Sequence, residues 1–354
     1  MSAAKDPRIV LHVGAPKTAS TYVQRRLRVN AEQLRKHGIY LPVLPEVAEM
    51  AGNAKLLAVA LSRRASSIFR RAFPDIDPNA LDPARISTEL LKDWRADSES
   101  LVLSAENLRP KQARPLRELL PKTTPCVVVL FVRRQDRWVD SYFNQLVKTN
   151  EIHEKPGTFV ERLGHDDDEH RFCPDWFAHY EVWRNAFGNC QVVFYDEVAS
   201  DIFGAFFNAA GFDAVPDLID IEPAQVSLNV YELAYLLDQK SPIDYAEFLR
   251  RKDAAEKASR DLGVQKHCSL LSNEDLVRLR ERFAESNRRL VTALGRSEQL
   301  LRLDQNADSN SYCSLAELSG SDAYARFQKS ADAVYARRNR RDRFKSFFKR
   351  SVPK

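Results

Sequence analysis

Four short runs decide what this chain can fold into: RIVLHV (8–13), SLVLSA (100–105), CVVVLFV (126–132) and CQVVFY (190–195). Each is rich in β-branched residues and almost continuously apolar. A strand with one wet face alternates apolar and polar residues. Runs without alternation read as strands buried on both faces, as in a parallel sheet covered by helices. Helical patterns fill the intervals: TYVQRRLRVNAEQLRKH before Gly38, ISTELLKDWRA, DRWVDSYFNQLVK, and PDWFAHYEVWRNAF before Gly188. Both glycines suit helix C-terminal caps. The alternation predicts a doubly wound α/β fold. After about residue 225 the strand signal fades, and VYELAYLLDQ, DYAEFLRRKDAAEKASR and NEDLVRLRERFAESNRRLVTAL carry helical spacing. The expected division is an α/β core over 1–225, a helical extension packed on it over 226–330, and a basic tail over 331–354. The polar, charge-dense stretch 151–174 reads as a long loop with a single helical turn, the kind of segment that often covers a substrate.

HVGAPKTASTYV (12–23) lies where the first strand hands over to the first helix. Such a junction aims unpaired backbone N–H groups and the helix dipole at one point, which makes an anion site. Thr18, Ser20 and Thr21 add hydroxyl donors, and Lys17 adds a mobile positive charge. The spacing is not that of a Walker A loop, G-x-x-x-x-G-K-[ST]: Lys17 comes three residues after Gly14, with no second glycine before it. The competing reading is a plain strand-to-helix turn in which Ser20 or Thr21 caps the helix.

A second stretch points the same way. CVVVLFVRRQDRWVDSYFNQLVK (126–148) is a strand running into Arg133 and Arg134, then a helix carrying Ser141 and Tyr142. Open α/β sheets bind ligands at the carboxyl ends of their strands, and an arginine fork there suits a phosphate monoester. The alternative is that these arginines pair with Asp136 or Asp140.

Lys17 in PKTAST, followed by R-x7-S-Y from Arg133 to Tyr142, resembles the two signature motifs of the sulfotransferases that use 3′-phosphoadenosine 5′-phosphosulfate (PAPS). VVFYDEV (192–198) is similar to the strand ending in Tyr-Glu-Asp-Leu that often follows in that family. HVGAPKTASTYVQ, LSAEN and RRQD…SYFNQLVK look most like bacterial members. The resemblance covers roughly residues 8–212. It implies a P-loop-like central parallel sheet flanked by helices, with a helical C-terminal part. It also implies that Pro16, Lys17, Thr18, Ala19, Ser20 and Thr21 wrap the 5′-phosphosulfate, while Arg133 and Ser141 hold the 3′-phosphate. There are departures. Ala19 replaces the more usual glycine, which is tolerable if the position does not need positive φ. The RKGxxG segment of small-molecule members is absent, and QVSLN (225–229) is a candidate to cover the adenine.

The implied activity is transfer of a sulfuryl group from PAPS to a hydroxyl acceptor, a carbohydrate or glycolipid being the class in view, in line and without a metal. Catalysis would then be positioning and electrostatic stabilisation, with Lys17 stabilising the leaving oxygen. Glu106 in LVLSAEN is the preferred general base; the alternative there is that Ser104 and Glu106 cap the next segment. His12 is the rival base, although a lone histidine in an apolar strand is more often a satisfied core residue. Two other readings stand beside this one: an ATP- and magnesium-dependent P-loop phosphotransferase, and a non-catalytic nucleotide-binding module. GHDDDEHRFC (164–173) matches neither zinc-finger nor H-E-x-x-H spacing and reads as a solvated loop. Trp176, Tyr180 and Trp183 recur at helical spacing and read as core.

The net charge of +5 is not spread evenly. Residues 337–354 carry +8, which leaves the rest of the chain at −3. The tail interleaves Phe344, Phe347 and Phe348 with arginine and lysine. Such a tail can contact an anionic membrane surface, an anionic glycan or, nonspecifically, a nucleic acid, with no specific nucleic acid expected; the competing reading is a plain disordered basic terminus. Five scattered cysteines without a C-x-x-C pair suit reduced thiols, and MSAAKDPR lacks the apolar region of a secretory signal. The expected location is the cytoplasm, with peripheral contact at the inner face of the membrane.

Overall fold

The four apolar runs become strands, and a fifth joins them: β1 (Ile9–Gly14), β2 (Ile39–Tyr40), β3 (Ser100–Ser104), β4 (Cys126–Val132) and β5 (Cys190–Phe194). The computed structural model describes residues 7–49, 52–164, 172–215, 217–222, 227–238, 244–264, 268–301 and 313–350, with 341–350 described by backbone alone. All pairings are parallel and the order is β2-β3-β1-β4-β5. Every residue of β1, β3 and β4 is buried, whereas edge strand β5 exposes Gln191. Burial on both faces is why the central strands read as unbroken apolar runs. β2 is two residues long, too short to leave a periodic signal.

Helices differ from expectation at three places. The run after Lys17 is two helices, Ser20–Val29 and Ala31–Lys36. They break at Asn30, whose side chain accepts from Ile219 N–H (2.7 Å) and donates to Ile219 C=O (2.9 Å). The stretch 151–174 contains a seven-residue helix, Pro156–Arg162, rather than a single turn; residues 165–171 lie outside the described residues. The expected tail is, through Arg350, the end of one helix, Asp322–Arg350. Its sequence from Asp322 to Arg350 holds no glycine or proline and is rich in arginine, lysine and alanine, all good helix formers.

Two compact units divide the chain. The first comprises 1–138, 173–225 and 282–302; the second comprises 139–172, 226–281 and 303–354. The first holds the sheet. One of its cores joins Val10, Val102, Val129 and Phe131 to Val23 and Leu27 of the helix Ser20–Val29 and to Phe203, Phe206 and Phe207 of the helix Ile202–Ala210.

The second unit is helical, and polar clamps fix its helices. The Asn144 amide donates to Leu228 C=O (2.8 Å) and accepts from Leu228 N–H (3.1 Å). Asn229 caps Val230–Leu237 and donates to Ser259 (2.8 Å), while Tyr235 donates to Asp332 (2.8 Å) and Tyr324 to Asp238. Among the described residues no helix is long and apolar enough to cross a membrane, and all five cysteines are free thiols.

Candidate anion site at the carboxyl edge of the sheet

The chain leaves β1 toward β2 on one side, and later crosses from β3 to β4 on the other. The crevice at such a switch point is where doubly wound sheets bind ligands. The turns after β1 and β4 carry the motifs. Gly14 opens the first at φ +83°, and a Cβ there would sit 2.8 Å from Glu106 Cα, so only glycine fits. Lys17 (φ 64°) and Ala19 (φ 61°) are also left-handed, with Thr18 between them of ordinary sign. Alternating hands turn successive N–H groups toward one concave side, an anion-binding arrangement. Ala19 therefore occupies a position of positive φ, so the condition under which alanine would be tolerated there without strain is not met. The strain is about 1–2 kcal/mol for each non-glycine residue held there.

The hydroxyls divide. Thr18 Oγ1 and Ser20 Oγ both donate to Ala15 C=O, at 2.6 and 2.8 Å, folding the turn back on itself. Thr21 is partly exposed and has no such bond. No hydroxyl caps the helix Ser20–Val29: its cap residue is Ala19, without a side-chain hydrogen bond, so the first-turn N–H groups stay open toward the turn.

Arg133 and Arg134 behave differently although they are neighbours. Arg134 grips Asp136 with two bonds, 3.2 Å from Nε and 2.6 Å from Nη2, and its backbone N–H donates to Asp196 (3.2 Å). Pairing with an aspartate is thus the right reading for Arg134. Arg133 donates from Nη1 to Lys17 C=O at 3.3 Å and lies 4.8 Å from the centroid of the Tyr195 ring. Its Nε is buried and has no hydrogen-bond partner among the described residues. Asp140 instead accepts from Ser269 (2.6 Å) within the second unit. Ser141 is partly exposed on the helix Gln135–Lys148 and falls in that second unit.

Glu106 follows β3 and packs its backbone on Gly14, three residues before Lys17. Its carboxylate is half-exposed. Neither Ser104 nor Glu106 is a cap: Ser104 Oγ lies 2.8 Å from His12 Nδ1, and the next turn is held by Arg109 N–H donating to Gln112 Oε1 (2.6 Å). His12 is fully buried, edge-on to Phe131 and Phe206, and burial pushes it down to about 4. It is a neutral core residue, as a histidine inside an apolar strand usually is.

Sequence reasoning passed over four residues that hold the site. Pro16 C=O accepts from Trp138 Nε1–H, and Arg133 C=O from Trp176 Nε1–H, both at 2.7 Å. Tyr195 supplies the ring beside Arg133, and Asp196 also accepts from Arg137 (2.9 Å), so the FYD end of β5 braces the turn after β4. The signals for these were a tyrosine–aspartate pair at a strand end, Trp176, which read as ordinary core, and Trp138, which stood unremarked inside a helical pattern. Trp176, Tyr180 and Trp183 are indeed buried. Of GHDDDEHRFC, residues 165–171 lie outside the described residues. Among the described residues no three His, Cys, Asp or Glu side chains gather as a metal site would need.

No family model matches the chain, and a comparison with curated proteins found no match. Among solved structures, that of a sulfotransferase from Alicyclobacillus acidocaldarius aligns at 14% identity over 79% of this chain and 96% of that chain, with a TM-score of 0.42. At that score the likeness carries no weight on function, which rests on the chain's own geometry.

Proposed function

We propose that this protein is a sulfotransferase that moves a sulfuryl group from PAPS to a hydroxyl acceptor. The observation that carries the reading is Arg133: a half-buried guanidinium at the carboxyl end of β4, touching the Lys17 turn, with a buried Nε that nothing in the described chain satisfies. A buried N–H of an arginine is costly to leave unpaired, and an anion is its natural partner. The residues fit a nucleotide with phosphates at both ends. The Lys17 turn and the open helix start suit the phosphosulfate, and the Arg133 fork suits the 3′-phosphate.

PAPS supplies an activated sulfuryl group with a phosphate leaving group. In this reading Lys17 places its positive charge where negative charge builds on that leaving oxygen, and the uncapped N–H groups of Ser20 and Thr21 share the load. Glu106 takes the proton from the acceptor hydroxyl, and a carboxylate at the protein surface is a base that needs no metal. His12, buried and neutral, is out of reach for that step. The acceptor class in view is a carbohydrate or glycolipid.

The test is transfer of label from [35S]PAPS to a panel of sugars, glycolipids and phenols, with Lys17→Ala as the control. Labelled product that depends on Lys17 and survives chelator supports the reading. Nucleotide turnover that needs ATP and magnesium instead would replace it with a phosphotransferase.

A further inference from the structure

We infer that the pair Trp138–Trp176 is a positioning device that sets the separation of the two anion-binding turns; this rests on the function proposed above. Both indoles are fully buried in the sheet-bearing unit. A buried indole N–H seeks an acceptor, and each of these chooses a backbone carbonyl beside a binding residue. Trp138 takes Pro16, adjacent to Lys17, and Trp176 takes Arg133 itself, both at 2.7 Å.

The two rings meet edge-to-face, with centroids 5.7 Å apart and planes at 87°. The Arg133 side chain then closes a circuit by donating to Lys17 C=O at 3.3 Å. Running from Pro16 through both indoles to Arg133 and back to Lys17, the circuit consists of flat rigid parts and short bonds. Neither turn can shift without breaking one of them. Below Trp176, His179 packs edge-on (5.8 Å) and holds Cys173 C=O through Nε2 at 3.0 Å, which fixes the far side of that ring.

Trp183 provides the contrast within the same unit. It too is fully buried, but its Nε1 has no hydrogen-bond partner among the described residues, and it serves packing alone. Of these three, the two whose indole N–H bonds do so at the two turns a nucleotide would bridge. A site held to within a fraction of an ångström needs such a supporting layer.

The experiment uses the full chain with Trp138→Phe, Trp176→Phe and Trp183→Phe, each of which keeps a ring and removes the N–H. Affinities for 3′,5′-ADP and for 5′-AMP are measured beside thermal unfolding. A change in the folded fraction alters both affinities alike, so their ratio reports positioning alone. Trp138→Phe and Trp176→Phe are expected to lose roughly tenfold of that ratio, since a shift of about 1 Å is costly; Trp183→Phe is expected to keep it. Adding Trp176→Phe to Arg133→Ala should cost no further ratio. An unchanged ratio in both folded clamp variants overturns the inference, as does an equal loss in Trp183→Phe.

Should the phenylalanine variants fail to fold, the wild type decides. The indole N–H resonances of Trp138 and Trp176 should move on adding 3′,5′-ADP while that of Trp183 stays, and movement of Trp183 alone or of none contradicts the clamp. If the wild type shows no advantage for the 3′-phosphate, the functional reading has failed separately. The clamp is then judged on the 5′-AMP affinity of variants that thermal unfolding shows to be folded, kept by a loss in Trp138→Phe that Trp183→Phe does not share and overturned by no loss or an equal one. A wild type that binds neither nucleotide removes both.

Discussion

Glu99, just before β3, and Arg133, just after β4, are charged groups at opposite ends of one sheet. Glu99 is 1% exposed and is answered completely. Arg35 reaches it at 3.1 Å, Arg95 Nε at 2.9 Å and Arg95 N–H at 3.1 Å, while Trp94 Nε1–H holds its carbonyl at 2.7 Å. Burial alone would raise the Glu99 carboxyl; the hydrogen bonds from Arg95 and Arg35 outweigh it and leave it below its usual range. At the other end Arg134 is answered in the same way by Asp136, but Arg133 keeps a buried N–H in reserve. A cancelled charge fixes backbone, and an uncancelled one marks where a ligand is expected. Two adjacent arginines make the distinction within one turn.

That contrast can be broken in several places. Lys17→Ala should have the largest effect, a loss of about 10²–10³ in transfer rate with little change in unfolding temperature, because it removes one preorganised charge. Steady-state transfer kinetics beside calorimetric scanning check both halves. Arg134→Ala should act the opposite way. It leaves Asp136, 3% exposed, without its fork and costs about 3 kcal/mol of stability, read by urea denaturation. Glu99→Gln should cost less, about 2 kcal/mol, because the arginines on it are 40% and 63% exposed. Because Glu99 is depressed in the fold, its contribution is present above the ordinary glutamate value and is lost as pH falls through its lowered one.

Acid should weaken the sheet from a second direction. Burial holds His12 at about 4 against an ordinary 6.5, so between those values the unfolded chain carries the extra proton and stability falls with pH. The slope is about 1.4 kcal/mol per pH unit for each such histidine. His179, also pushed down to about 4 by burial, adds to it. Denaturation midpoints across this range should flatten in His12→Asn, and an unaltered slope would contradict the assignment of His12 to the core. The smallest effect is at Ala19. Ala19→Gly relieves a left-handed alanine at φ 61° and should stabilise by up to about 1 kcal/mol, offset in part by the freer unfolded chain.

Much of this was legible in the sequence. Continuous apolar runs announced β1, β3 and β4 because burial on both faces removes alternation, the β-branched run CQVVFY announced edge strand β5, and the place of Lys17 and Arg133 followed from the strands they end. Other features were not legible, for physical reasons. β2 is too short for a period. The left-handed twist at Ala19 and the inward turn of the Thr18 and Ser20 hydroxyls are set by how the loop closes on Ala15 C=O, which no local pattern encodes. Which arginine is cancelled depends on Asp136 lying two residues on in a helix turn, while the N–H bonds of Trp138 and Trp176 depend on contacts 122 and 43 residues apart in the chain. Long-range polar pairing is what a single sequence hides.

The most direct measurement is calorimetric titration of 3′,5′-ADP, with 5′-AMP and ATP–magnesium alongside, into wild type, Arg133→Ala and Arg134→Ala. The account predicts metal-independent binding of 3′,5′-ADP by wild type, stronger than that of 5′-AMP. It predicts that this advantage is lost in Arg133→Ala and kept in Arg134→Ala so long as that variant is folded. Tighter binding of ATP–magnesium, or equal losses in the two arginine variants, would contradict it.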